Sequence, residues 1–396
     1  MSPYTSLSTR AVHAGEARDK PHHALTVPIV QSSTFTFADT ADLVEHMQAH
    51  LNGGTERVEY GRYGNPTVAA VERKLADLDS GEAALLFSSG MAAVTTTLFS
   101  LLSAGAHVVM TDDCYRRTRQ FVTQFLARYD VQATQVPVGD YEVLEGAIRP
   151  NTRLVLSESP TNPYLRVVDV PRLVEIARRH GLKTVIDSTF ATPINQRPLE
   201  FGVDLVIHSA TKYLGGHNDL LAGVVVGSRK MIGDLRETQG MMGAICDPNA
   251  AYLLLRGLKT LELRVLRHNE TGLKVARFLE GHPKIRRVHY PGLPSHPNHS
   301  TARQQMSGFG GVVSFEVDAD LETTGRFVDA LRIPYIGPSL GGVESLVVHV
   351  AQATYYGLSS EERAAIGISD TLVRLAVGLE DAGDLIADLD QALAAI

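Results

Sequence analysis

The feature that most limits the fold is an alternation that starts near residue 84. Seven short apolar runs follow one another: ALLFS (84–88), HVVMT (107–111), QATQVPV (132–138), RLVLSES (153–159), TVIDST (184–189), DLVIHSA (204–210) and AGVVVGS (222–228). Between most of them lie segments with apolar residues at helical spacing, including Met91–Leu102, Thr118–Tyr129 and Pro171–His180. VAAVERKLADL (68–78) has the same helical spacing ahead of the first run. Strands separated by helices of that length predict βαβ units and an α/β fold with a mostly parallel seven-stranded sheet. The runs are apolar almost throughout, as strands covered on both faces must be.

The flanks divide the chain. Residues 1–60 are poor in periodicity and rich in Ser, Thr, Pro and His. So long a segment is seldom idle, and it is expected to contact a neighbouring subunit. The large domain is placed at 61–255. A long helical stretch from Asn249 to Leu279 reads as a bridge into a smaller α+β domain at 256–396. That domain holds GGVVSFEV (310–317), a helix near Leu321–Leu331, TLVRLAVG (371–378) and a last helix, Ala382–Ala395. The net charge of −7 gives no global attraction for nucleic acid. Two distant cysteines, Cys114 and Cys246, exclude a disulfide framework. MSPYTSLSTR lacks an apolar signal core, and runs such as Leu221–Val226 fall far short of the ~20 residues of a membrane span. A cytoplasmic protein with no membrane and no nucleic-acid partner is expected.

Three segments carry chemistry. In DLVIHSATKYLGGHND (204–219), Lys212 stands directly after an apolar strand. Lysine is rarely buried without a role, and desolvation lowers its pKa toward what a Schiff-base amine requires. Ser209 and Thr211 flank it with hydroxyls suited to a phosphate; a lysine snorkelling to solvent is the plain alternative. Asp187 sits inside the apolar TVIDST and needs a partner there. That partner is a protonated ring nitrogen in one reading, and an arginine or a loop cap in the other. FSSGMAA (87–93) turns from strand to helix, so the N–H groups of Gly90 and Met91 and the helix dipole form an anion site. The plain alternative is a serine N-cap. The three lie in order at C-terminal strand ends, where open α/β sheets bind ligands. As a set they point to pyridoxal 5′-phosphate (PLP). No GxGxxG or GxxxxGK[ST] follows a strand, which weighs against a dinucleotide oxidoreductase or a P-loop protein.

With EYGRYGNPT (59–67), ESPTNP (158–163), DSTFATP (187–193), PSLGGVESL (338–346) and ISDTLVRLAVGLED (368–381), these segments resemble the Cys/Met-metabolism (trans-sulfuration) group of PLP enzymes over nearly the whole chain. The resemblance implies the fold-type I, aspartate-aminotransferase-like architecture. It makes Lys212 the Schiff-base lysine and proton shuttle and pairs Asp187 with the pyridine nitrogen. Tyr115 would stack on the ring, and Asn162 would hydrogen-bond its hydroxyl. Gly90, Met91, Ser209 and Thr211 would bind the phosphate. Tyr60 and Arg62 would reach the phosphate of a neighbouring subunit's cofactor, with Tyr60 able to assist proton transfer. Arg374 would take the substrate α-carboxylate, with Ser339 nearby. It further implies a homotetramer, a dimer of dimers with shared active sites. A fixed guanidinium at Arg374 suits a carboxylate; its structural alternative is a salt bridge with Glu380.

The branch of chemistry is less determined. TDDCYRRTRQ (111–120), ESPTNPYLRVVDV (158–170) and SHPNHSTARQQMSGFGGVVSFEVD (295–318) resemble the plant-type cystathionine γ-synthases. Arg117 stands where methionine γ-lyases carry a cysteine. Arg116 and Arg117 suit an anionic γ-leaving group, or else form a solvated helix face with Arg119. In VESLVVHVAQATYY (343–356), Val348 stands where some cystathionine-processing relatives are acidic. The expected activity is γ-replacement on an activated homoserine ester with cysteine, giving cystathionine. The alternative is γ-elimination from cystathionine or another γ-substituted amino acid. The intact Lys212, Asp187 and Arg374 argue against a non-catalytic scaffold. His296 and His299 lie in a Pro/Asn/Ser context that predicts an exposed loop and no metal site. His217 is expected to support the lysine loop, and SGFGG (307–311) to form a bulge or turn before a strand.

Overall fold

The computed structural model describes residues 4–51 and 57–396, so the expected N-terminal segment 1–60 lies partly outside the described residues. Each of the seven apolar runs forms a strand: β1 (Ala83–Phe87), β2 (His107–Thr111), β3 (Gln132–Val136), β4 (Thr152–Glu158), β5 (Lys183–Asp187), β6 (Leu205–Ser209) and β7 (Gly223–Gly227). They make one sheet in the order β1-β7-β6-β5-β4-β2-β3. Strands β2 to β6 pair in parallel, while β7 is antiparallel to both β1 and β6. The cause is the connection after β6. Residues 210–222 contain no helix to carry the chain back across the sheet, so β7 returns alongside β6.

Successive side chains of these strands face opposite layers, and both layers are apolar. Leu85, Met110, Leu156 and Ile207 pack on one face; Val109, Val155, Ile186 and Val206 pack on the other, against the helix Val170–Arg179. Five further strands, β8 (Ile285–His289), β9 (Val312–Val317), β10 (Tyr335–Ile336), β11 (Leu346–His349) and β12 (Leu372–Ala376), form a second sheet in the order β10-β11-β12-β9-β8. SGFGG accordingly precedes a strand, with Gly310 in the left-handed region at φ 80°. Among the described residues no helix is long and apolar enough to cross a membrane.

Four local expectations differ from the structure. The stretch 249–279 is two helices, Pro248–Leu258 and Leu261–Gly281. At the break, the Gly257 carbonyl accepts a hydrogen bond from the buried Arg264. Thr118–Tyr129 is not one α-helix: Arg116–Gln120 is α-helical, Phe121–Phe125 widens into a π turn, and Leu126–Tyr129 tightens into a 3-10 turn. The Thr123 hydroxyl bonds the Arg119 carbonyl there, competing with the backbone ladder. The described residues among 1–60 are more ordered than their composition suggests, with helices at Leu7–His13 and Thr40–Leu51. The first docks on the chain's own helix Pro66–Leu78, where the buried Lys74 donates to the carbonyls of Ala11 and Val12. Finally, His296 is buried rather than in an exposed loop.

Candidate active site

The C-terminal ends of β1, β4, β5 and β6 lie at one edge of the large sheet. Asp187 is the last residue of β5 and pairs in register with Glu158, the last residue of β4. The Asp187 carboxylate accepts from both the hydroxyl and the N–H of Thr189. Thr189 in turn accepts from the Ser209 N–H at 2.8 Å, which ties β5 to the end of β6. Burial pushes the Asp187 carboxyl up from its ordinary value. A carboxylate so placed favours a cationic partner over an empty site.

The helix Gly90–Leu101 begins beside Ser209, so close that a Cβ on Gly90 would sit 2.9 Å from the Ser209 Cβ. Only glycine lets the two segments meet without displacement. The Ser89 hydroxyl caps Ala92 N–H, leaving the N–H groups of Gly90 and Met91 in the first turn without an intrahelical partner. Thr211 is held by reciprocal bonds between its hydroxyl and Ala222.

Lys212 lies in the turn after β6, and its Nζ donates to Ser339 Oγ at 2.7 Å. Burial, aided by the charge of Arg374, lowers its amine to about 8. Ser339 has φ 120°, a left-handed value that a non-glycine residue adopts at a cost. Its carbonyl accepts from Arg374 Nη2 at 3.1 Å, and Asn162 Oδ1 accepts from Arg374 Nη1 at 3.1 Å. Arg374 is buried on β12, and its Nε has no hydrogen-bond partner among the described residues. Glu380 does not neutralise it: that carboxylate accepts from the N–H and hydroxyl of Ser345. The guanidinium therefore has neutral acceptors and, among the described residues, no carboxylate paired with it.

Tyr115 is 43% exposed, its ring free for a ligand, while its N–H donates to Glu158 Oε2 at 2.7 Å. Tyr60 and Arg62 make none of these contacts. Arg62 donates to the Gly240 carbonyl and lies over the rings of Tyr60 and Tyr63. Arg117 is exposed and bonds Gln120, whereas Arg116 and Arg119 hold Thr354 and Tyr355, so the helix face is not simply solvated. His217 Nδ1 bonds the Gly215 carbonyl within the lysine loop.

Three residues escaped the sequence reading. Glu158 and Thr189 stood inside quoted motifs, but their partners lie on other strands. Arg264, on the helix Leu261–Gly281, donates to the carbonyls of Tyr213, Leu214 and Gly257 and so clamps the turn after Lys212. Gly216, at φ 73°, leaves the space the guanidinium fills: a Cβ there would meet it at 2.0 Å. No sequence signal marks Arg264.

The residues present fit PLP: a desolvated amine, an anion-ready helix start, and a sunken carboxylate without a described arginine or lysine partner. Fold and site together thus define the class, an enzyme dependent on PLP. Residues 8–394 match the Cys/Met metabolism PLP-dependent enzyme family, and the chain belongs to that family. It is 48% identical over 395 residues to cystathionine γ-synthase 1, chloroplastic, of Arabidopsis thaliana, covering 99% of this chain and 69% of that one. It is 44% identical to the L-methionine γ-lyase of Pseudomonas putida, covering 98% and 97% of the two chains. The crystal structure of metB from Corynebacterium glutamicum superposes with a TM-score of 0.91 at 36% identity, covering 99% of this chain and 98% of that one.

Proposed function

We propose that the protein catalyses γ-replacement on an activated homoserine ester with cysteine, giving cystathionine, and that the residues gathered at the sheet edge carry it. Bound there, PLP supplies an aldehyde that condenses with amines and a ring that takes up the electron pair left at the substrate α-carbon. Lys212 Nζ, lowered by burial to about 8, removes and returns protons at the substrate carbons. Ser339 Oγ holds that amine in place between proton transfers. Asp187, oriented by Thr189, holds a positive charge at the ring nitrogen. The free N–H groups of Gly90 and Met91, with Ser209 and Thr211, hold the phosphate. Tyr115 covers the ring and Asn162 bonds its hydroxyl. Arg374 binds the α-carboxylate; its buried charge, lacking a carboxylate partner among the described residues, is the observation that carries the amino-acid reading.

The synthase branch is supported by the likeness to chains named cystathionine γ-synthase at 48% and 49% identity and by Arg117 in place of cysteine. A γ-lyase is the second reading, favoured by relatives of that name and by the apolar Val348 directly opposite Arg374 in the β11–β12 register. One panel separates them: O-phospho-, O-succinyl- and O-acetylhomoserine with and without cysteine, and cystathionine alone, with products identified by mass spectrometry. Cystathionine formed only with cysteine is expected. Ammonia and a 2-oxo acid from one amino acid, without thiol dependence, would overturn the synthase reading.

Tyr60 and Arg62 are proposed to complete the site of a neighbouring subunit in a dimer of dimers. Exposed Tyr60, Tyr63 and Met241 beside Arg62 support this, as apolar surface awaiting cover. Mixing Lys212→Ala chains with Arg62→Ala chains should restore activity, because each hybrid pair contains one intact site. No recovery in verified hybrids would reject the sharing.

A further inference from the structure

The short helix Arg116–Gln120 and the segment 350–358 of the second domain meet through contacts that the chemistry above leaves unused. Arg116 Nη1 donates to the Thr354 carbonyl, and its guanidinium lies 5.6 Å from the centre of the Tyr355 ring. Arg119 Nη2 donates to the Tyr355 hydroxyl at 3.2 Å, and Nη1 donates to the Asp112 carbonyl at 2.8 Å. Neither contact involves a carboxylate.

Both ends of this junction lead to the site. Tyr115 immediately precedes the helix, so the arginines hold the element that carries its ring. On the other side Tyr355 is 5% exposed and packs with Val350, Ile368 and Leu372, with Tyr164 against them. Leu372 is two residues before Arg374 on β12, its side chain on the same face. Tyr164 is two residues after Asn162, the acceptor of Arg374 Nη1. Tyr355 is thus seated on the residues that carry the carboxylate site, while Arg116 and Arg119 belong to the element that carries the ring-covering tyrosine.

We infer that Arg116, Arg119 and Tyr355 form a latch that sets the separation between Tyr115 and Arg374, and so governs how tightly an α-amino acid is held. They are positioning residues, acting through Tyr115 and Arg374, and the inference rests on the roles proposed for those two. A guanidinium over an aromatic ring and a charge-assisted bond to a phenol are directional. They fix the approach of two rigid units more sharply than apolar packing does. Of the two arginines that suggested an anionic leaving group, Arg116 is thereby assigned to the protein itself, while Arg117 stays exposed.

The test uses the cofactor-loaded protein and L-norleucine, which has the α-amino and α-carboxylate groups and no γ-leaving group. Tyr355→Phe removes the hydroxyl and keeps the ring under Arg116; Arg119→Met removes the guanidinium donor and keeps an unbranched stem. Each single variant should bind norleucine ~10-fold more weakly, and the double variant no more weakly than Arg119→Met alone, because the Arg119–Tyr355 bond is already lost in that variant, which also gives up the bond to Asp112. Hydrogen exchange at 350–358 should quicken in each variant. Multiplying effects, near 100-fold in the double variant, would overturn the latch, as would unchanged binding in both singles. Exchange at 350–358 as slow as in the parent overturns it even for a variant that binds no norleucine. Norleucine binding needs no γ-chemistry, so a protein that binds it with the expected coupling but forms no cystathionine sinks the synthase reading alone.

Discussion

Replacing Arg374 by leucine should separate binding from stability in opposite directions. In the folded protein the guanidinium is buried on β12 with two neutral acceptors, Asn162 Oδ1 and the Ser339 carbonyl. Burial lowers it from its ordinary value to about 10, a cost of ~3 kcal/mol to the fold. The two hydrogen bonds return ~1 kcal/mol each. Leucine removes both contributions and fills much of the same space, so the unliganded protein should melt within a degree or two of the parent, or slightly above it. A substrate carboxylate entering the altered site finds no cation. Leaving one partner of a buried pair alone costs ~3–5 kcal/mol, which is roughly two to three and a half powers of ten in the dissociation constant. The assays are thermal melting of the cofactor-free protein and norleucine binding to the loaded protein. A large fall in melting temperature with binding retained would refute the reasoning, since it would make Arg374 a structural strut with a partner supplied by the fold.

Further outcomes follow from the same geometry. Because burial lowers Lys212 to about 8, its neutral amine becomes abundant as pH rises from 7 to 9. The rate at which cofactor-free protein captures PLP should climb through about pH 8 and level off; a rate still climbing above pH 10 would mean an ordinary exposed lysine. The sign for stability is the same, since the protonated amine is disfavoured in the fold: this group's contribution improves as pH rises from about 8 toward 10.5. Lys212→Ala should abolish both capture and activity while leaving the circular dichroism spectrum intact. Glu158, whose carboxylate holds the Tyr115 N–H, should tolerate glutamine, which still offers an acceptor. Glu158→Leu should raise the KM of every amino-acid substrate at least severalfold; an unchanged KM would show that Tyr115 needs no such support.

Much of the large domain was legible because its strands are buried on both faces. Continuous apolar runs such as HVVMT and AGVVVG stand out from any alternating pattern, and the strands lie within two residues of their expected bounds. The break in 118–129 was not legible, since Phe121, Phe125 and Tyr129 have helical spacing whichever way the backbone turns. The stacking of Phe121 on Phe125, with ring centres 5.1 Å apart, belongs to the π turn that formed. The second sheet was harder to read because β10 has two residues and β11 four, too short for periodicity to register. The helices at Leu7–His13 and Thr40–Leu51 bury only one residue each, Ala11 and His46, so no apolar stripe announces them.

The order of strands, the lysine after the sixth of them, the carboxylate ending the fifth and the glycine at the helix start are all local matters of composition and spacing. The chain alone therefore determined the α/β class and the cofactor chemistry. What tertiary structure decided is convergence: Arg374 meets Asn162 across 212 positions, Lys212 meets Ser339 across 127, and Arg119 meets Tyr355 across 236. Such contacts exist only once the elements around the two sheets have come together. The packing geometry, rather than any run of residues, places a charge held by neutral acceptors beside a desolvated amine and closes the far side with an arginine–tyrosine bond.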